Sequence, residues 1–313
     1  MSKRKRRRKR KFPWGLILII LIFSYSIYIY GWEETFGLDA EALKRLILTN
    51  EQTVPLSDNS HLTVQFLDVG QADAILIQNQ GKNMLIDAGN NNDGPLLVQY
   101  FKELNIEKFD IIVGTHPHED HIGGLDDIIT SFNIGNIYMP DVITTTTTFT
   151  DVLDAIERKN LKLHIPKINS TWQLGDSIIE VIYTGTDDKD FNNSSIILRL
   201  NYGNIKILFT GDATSTVEKT LIDKDIKADV LKVAHHGSPY SSTDEFLKAC
   251  HPKYAVISVG KGNSYGHPGT STVKKLKQYN IKTYRTDQYG TIILDSDGST
   301  LSFSYKKTNT NGG

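Results

Sequence analysis

Residues Thr115–Gly124 read THPHEDHIGG, which places three of the chain's nine histidines, with an aspartate and a glutamate, inside ten positions. The preceding run FDIIVG (109–114) has the apolar texture of a buried strand. His116, His118, Asp120 and His121 therefore fall on a loop at a strand's C-terminal end, where sites in α/β folds lie. His116 and His118 can turn toward one divalent ion, and Asp120 and His121 toward a second. Imidazole and carboxylate suit zinc or its neighbours. Gly123 and Gly124 are expected to let the chain turn tightly without crowding the metals.

The loop sits in a chain of short β-type runs separated by turn residues. Upstream are LTVQFLDVG (62–70) and AILIQNQGKNMLIDAG (74–89), the latter with a hairpin expected at Asn79–Lys82 and a helix following over Gly94–Leu104. Downstream, IIEVIYTG, SSIILRLNYGNIKILFTGD, ADVLKVAHHG, YAVISVG, KTYRTDQYGTIILD and STLSFSY read as strands. Helices are expected near Asp151–Lys159, Thr216–Asp223, Thr243–Cys250 and Thr270–Tyr279. Two β-rich halves that each carry helices predict an α/β fold of two sheets packed face to face with helices outside. The threonine run at 144–148 reads as a surface loop.

The single cysteine, Cys250, excludes an intrachain disulfide and a Cys-rich zinc site, so any metal must be held by histidines and carboxylates. The net charge of −1 hides an asymmetry: Lys3–Lys11 is an unbroken run of nine basic residues, and without it the remainder stands at −10. An acidic body is not the footprint of a protein that coats nucleic acid with its whole surface. Residues 12–32, FPWGLILIILIFSYSIYIYGW, carry no charge. About 20 apolar residues span a bilayer core of roughly 30 Å. With interfacial aromatics at Trp14 and Trp32 and the positive flank before it, this segment predicts a single-pass membrane anchor with a cytoplasmic N-terminus and an extracellular catalytic domain. A cleaved signal peptide is the alternative, for which SYS (24–26) is the one small-residue candidate. The expected organisation is a basic tail (1–11), anchor (12–32), juxtamembrane helix and linker (33–60), hydrolase domain (61–307) and flexible tail (308–313).

The loop HPHEDH, read as H-x-H-x-D-H, resembles the signature of the metallo-β-lactamase-fold hydrolases. More narrowly, FLDVGQADAILI, LIDAG, THPHEDHIGG, FTGD, LKVAHHGS, AVISVG, YGHP and YRTDQYGTI are similar, in that order over about 61–305, to the hydrolase domain of ComEC-type DNA-internalisation competence proteins. The resemblance implies a four-layer αββα fold and two divalent ions, zinc or manganese. It implies that Asp87 of LIDAG orients the histidine loop, that Asp212 of FTGD bridges the metals, and that His236 is the late ligand of the second metal, with His235 beside it facing substrate. The residues agree in kind, since KILFTGD and VLKVAHHG are further strands ending in candidate ligands; Asp212 alone would read as a helix cap.

One position departs from the wider family, which supplies a further histidine to the first metal. Here that region reads DFNNSSIILRL, so Asn192, Asn193 and Ser194 stand there, as in the ComEC-like branch, and His116, His118 and Asp212 hold that ion with one ligand fewer. His267, in GNSYGHPG after a strand, reads either as a substrate-contacting group or as loop structure. His164 and His251 read as structural, and Asp68 and Asp73 as scaffold.

Two cations sharing a carboxylate bring the pKa of a bridging water toward neutrality, giving a hydroxide nucleophile. Asp120 would orient it, and His235 or His267 would donate to a non-bridging oxygen. The expectation is a metal-dependent hydrolase acting on a phosphodiester, with single-stranded DNA implied by the resemblance. The alternatives are a small or cell-envelope phosphoester and an inactive binding module in DNA uptake.

Overall fold

The computed structural model describes residues 61–306. The basic tail, anchor, juxtamembrane helix and C-terminal tail expected from the sequence lie outside the described residues. The predicted location requires correction. Among the described residues no helix is long and apolar enough to cross a membrane. The longest, Thr147–Arg158, has 12 residues, which at 1.5 Å each reach about 18 Å against a bilayer core of about 30 Å. The single-pass location with an extracellular domain, and the membrane as a partner, are therefore not carried by this structure.

In chain order the strands are β1 (Leu62–Phe66), β2 (Ala74–Asn79), β3 (Lys82–Ala88), β4 (Lys108–Val113), β5 (Asn133–Tyr138), β6 (Leu163–His164), β7 (Thr171–Leu174), β8 (Ser177–Tyr183), β9 (Ile197–Tyr202), β10 (Ile205–Phe209), β11 (Val230–Lys232), β12 (Tyr254–Ile257), β13 (Lys282–Arg285), β14 (Thr291–Ser296) and β15 (Leu301–Lys306). They form an eight-stranded sheet in the order β15-β14-β1-β2-β3-β4-β5-β6 and a seven-stranded sheet in the order β13-β12-β11-β10-β9-β8-β7. β3 to β6 run parallel, as do β10 to β13. The last two strands do not stay with the second half: β14 pairs with β1, setting Ile292 opposite Phe66 and Leu294 opposite Val64. Shared inward alternation of large apolar residues selects that partner.

Period-two alternation builds the layers. Ile75 and Ile77 of β2 join Leu198, Leu200, Ile207 and Phe209 in the core between the sheets, while Ala74 and Leu76 face the other way. That outer face is covered by α1 (Gly94–Glu103), α2 (Glu119–Ile122), α3 (Leu125–Ser131) and α4 (Thr147–Arg158) through Phe101, Ile122, Ile128 and Val152. Leu208 and Leu231 on the far face of the second sheet meet α5 (Ser215–Glu218), α6 (Asp244–Cys250) and α7 (Thr270–Gln278) through Val217, Phe246 and Leu276. The result is a four-layer αββα arrangement.

Two local expectations change. The threonine run is not all loop: Thr146 caps α4, its side chain accepting from the Phe149 N–H at 3.4 Å, so Thr147 and Thr148 open the helix and Phe149 is buried. The helix expected over Thr216–Asp223 stops at Glu218, after which Thr220 and Leu221 continue as i to i−3 turns.

Candidate metal centre

The ends of parallel strands bring the candidate ligands together. β4 runs into Thr115 and His116, β10 into Asp212, and β11 into His235 and His236. Asp120, His121, Asp212 and His236 each present a ligand atom, all within 4.8 Å of one another. His121, Asp212 and His236 are fully buried, and the Asp120 side chain is 32% exposed. The glycine pair after the loop serves a purpose other than the expected turn. Gly123 has ordinary helical backbone angles, but a Cβ there would stand 2.2 Å from the Asn90 carbonyl carbon, and one at Gly124 2.6 Å from the Ala88 oxygen. Close approach of the histidine loop to the end of β3 is what excludes side chains.

Asp87 sits beneath the loop. Its carboxylate accepts from the Thr115 N–H at 2.7 Å and from the Thr115 hydroxyl at 2.7 Å, and lies 2.8 Å from His121 Nδ1. His236 Nδ1 similarly faces the Ser258 carbonyl at 3.0 Å. With each Nδ1 engaged, each Nε2 is left facing the cluster, the arrangement expected when a partner orients a metal-ligating imidazole. His121 Nε2 and Asp212 Oδ1 are 3.2 Å apart, and His236 Nε2 is 3.3 Å from Asp120 Oδ2. His121 Nε2, His236 Nε2 and Asp212 Oδ1 are nonetheless buried without a hydrogen-bond partner. Such orphaned atoms are costly in a folded protein, and imidazole nitrogens facing carboxylate oxygens are a donor set that fits a divalent cation. Backbone strain concentrates here as well. Asp87, His235 and His236 adopt φ of 58°, 53° and 52°, at roughly 1–3 kcal/mol for each such residue.

Charge in the cluster follows from burial and its neighbours. Burial pushes His121 down, but Asp212, then Asp87 and Asp120, outweigh it and hold the imidazole well above its ordinary value of 6.5. Burial opposes ionisation of Asp212, yet His121 and His236 keep its carboxyl well below the usual range. Burial and His121 together drive His116 well below 6.5. The metal-free protein therefore carries a protonated His121 at neutral pH. That contribution to stability is complete below about 6.5 and is lost as pH rises through the raised value. A cation at Nε2 must displace this proton. Titration of the metal-free chain with manganese or zinc near pH 7 is expected to release protons, and apparent affinity to climb with pH; calorimetry in two buffers of different ionisation enthalpy reads the release. A binding heat independent of buffer would contradict the protonated state.

The two histidines expected for the first metal turn ring nitrogens toward each other. His116 Nε2 faces His118 Nδ1 at 3.0 Å, and the rings meet edge-on with centroids 4.7 Å apart. Among the described residues, neither cluster of three or more close ligand atoms includes this pair. Asp212 instead faces His121, His235 and His236. In the region without the extra histidine, Ser195 Oγ accepts from the Asp212 N–H at 3.1 Å, and Asn192 lines the cleft with its Oδ1 unpartnered. The cleft has a volume of about 500 Å³ and is bordered by Gln71, Asn90, Glu119 and Tyr265 as well as Asp120 and Asp212. His235 and His267 both line it. Burial lowers the pKa of each, and their Nδ1 atoms lack partners.

Asp73, read from the sequence as scaffold, lies close to the ligands. Its carboxylate is buried beside the cluster, 3.6 Å from His236 Nδ1 and 3.8 Å from His121 Nδ1, and is paired with the buried ammonium of Lys232. The available signal was Lys232 itself, a charge inside the apolar strand run DVLKVA (229–234). Asp68 lies elsewhere, its Oδ1 accepting from the Gly70 N–H at 3.4 Å.

Residues 67–261 match the family model of the Metallo-beta-lactamase superfamily. The chain is 30% identical over 250 residues to ComE operon protein 3 of Bacillus subtilis, covering 73% of this chain and 32% of that protein. It is 28% identical over 232 residues to Competence protein ComA of Neisseria gonorrhoeae, covering 72% and 31%. The chain thus spans about a third of the length of these curated relatives. The metallo-beta-lactamase fold protein YhfI from Bacillus subtilis matches with a TM-score of 0.51 at 12% identity, covering 78% of this chain and 100% of that one, a likeness of fold alone.

Proposed function

The chain belongs to the metallo-β-lactamase superfamily, and from that premise we propose that its central cleft hydrolyses phosphodiesters, with single-stranded DNA or another nucleic acid as substrate. The observation that carries the reading is the convergence of Asp120, His121, Asp212 and His236, with three buried ligand atoms lacking partners, onto a polar cleft. The competence relatives support a DNA-related substrate.

Asp120, His121, Asp212 and His236 would hold a divalent cation, zinc or manganese, and His116 and His118, with ring nitrogens 3.0 Å apart, would take a second. Such a cation supplies Lewis acidity, polarising a phosphoryl oxygen and making water more acidic. The chain's own groups do the rest. Asp120 is ionised, because the charges of His121 and His236 outweigh the burial that opposes it; its exposed edge orients the attacking water. His235 and His267, neutral at neutral pH, offer ring N–H groups to the non-bridging oxygens. Asp87 and the Ser258 carbonyl fix the two ligating imidazoles, so little reorganisation accompanies reaction.

A smaller or cell-envelope phosphoester is the second reading, favoured by the −10 charge of the chain outside its basic run. The full chain loaded with manganese or zinc is expected to turn over single-stranded DNA and bis-p-nitrophenyl phosphate but not a β-lactam. Turnover of the small diester alone selects the second reading. Turnover of the lactam with neither diester overturns both.

A further inference from the structure

Three aromatic rings step outward from the ligand cluster along one wall of the cleft. His235 stands beside Asp212, with Nε2 3.7 Å from Oδ2. His267 meets His235 edge-on, with centroids 5.6 Å apart and planes at 78°. Tyr265 then stacks on His267 at 5.9 Å and 26°, and is itself 72% exposed. Phe191 meets His118, another residue of the cleft lining, edge-on at 6.0 Å.

The loop that carries Tyr265 is built to hold it. Asn263 Oδ1 accepts from the backbone N–H groups of Tyr265 at 3.2 Å and His267 at 3.0 Å. Its Nδ2 donates to the Gly260 carbonyl at 2.9 Å and the His267 carbonyl at 2.6 Å. Gly262 and Gly266, with φ of 68° and 70°, make the bends on either side. An exposed tyrosine fixed this firmly at the lip of a polar cleft is a flat apolar surface awaiting a flat partner.

We propose that Tyr265 is a stacking platform for a nucleobase of the strand whose phosphate lies over the ligand cluster. The inference rests on the phosphodiester reading and narrows its substrate class to one with an aromatic base. Two features favour a base over other diesters. A glycerol or sugar phosphodiester has no aromatic π-face to stack on the ring. The chain outside its basic run is acidic overall, which shifts grip on a strand toward stacking, a contact tolerant of sequence because every base has a π-face.

The test uses the full chain and two probes of equal length, an oligothymidylate and a strand of abasic sites. Binding is read by fluorescence anisotropy in chelator, and KM and kcat with manganese. Tyr265→Ala is expected to raise Kd and KM for the oligothymidylate about tenfold, with the change falling mainly in KM. Tyr265→Phe is expected to restore both, and neither variant to alter binding of the abasic strand. A Tyr265→Ala that weakens both probes equally, or neither, overturns the subsite and leaves hydrolysis standing. A wild-type chain that neither binds nor cleaves either probe overturns the subsite and the proposed function together.

Discussion

Asp212→Ala is expected to lower phosphodiester hydrolysis by about 10³-fold at saturating manganese, a factor equivalent to roughly 4 kcal/mol of transition-state stabilisation. The carboxylate is 2% exposed and stands 3.2 Å from His121 Nε2, 3.6 Å from His236 Nε2 and 3.7 Å from His235 Nε2. No other carboxylate among the described residues faces all three imidazoles. Its removal acts twice. It deletes a candidate ligand, and it removes the charge that most strongly raises His121 and His236 against burial. The variant should therefore bind the cation more weakly and release fewer protons on binding. The fold should persist, because the Asp212 N–H still donates to Ser195 Oγ and β10 is untouched. Asp212→Asn separates the two effects: it keeps the shape and one oxygen but not the charge. Activity of Asp212→Ala within tenfold of wild type, with metal bound and fold intact, would remove Asp212 from the centre of the chemistry.

The parts of this site that could be read in the sequence are those where one strand end carries its own chemistry. THPHEDHIGG, FTGD and AHHG each follow an apolar run, and local order alone places His121, Asp212 and His236 each after the C-terminal end of a strand. The layering was legible for the same reason, since alternation such as that in AILI assigns each residue a face. What stayed hidden depends on contacts between distant segments. Nothing in a linear reading could show that the Gly123 and Gly124 backbones lie against Asn90 and Ala88, so their cause was taken for a turn. The return of β14 to pair with β1 joins residues more than 200 positions apart. The edge-on contact of His116 with His118 is a matter of side-chain rotation that sequence spacing does not fix.

The pairing of Asp73 with Lys232 is the most consequential of these hidden contacts, and it leads to the second large expected effect. Lys232 is fully buried on β11; burial would strip its proton, but Asp73 and then Asp212 outweigh it and keep the ammonium charged. The same ammonium lies 3.4 Å from the Gly211 carbonyl, one residue before Asp212, while the Asp73 backbone N–H donates to the Asp120 carbonyl at 3.1 Å. The ion pair thus joins the two loops that carry the ligands and supplies a fixed positive charge near three carboxylates: Asp73, Asp87 and Asp212. Replacing Lys232 by Met keeps the length of the side chain but leaves Asp73 buried without its ammonium partner, which costs about 3–5 kcal/mol. Denaturant unfolding of the metal-free Lys232→Met chain should show that loss. Adding manganese should recover part of it, because a cation in the cluster restores positive charge nearby and binds the folded state. The double variant Lys232→Met with Asp73→Leu should unfold closer to wild type than Lys232→Met alone, since removing both charges leaves neither buried without a partner. If the double variant is instead less stable than the single, the carboxylate of Asp73 contributes to the fold independently of Lys232, through His121 and His236, and the ammonium is not its principal counter-charge.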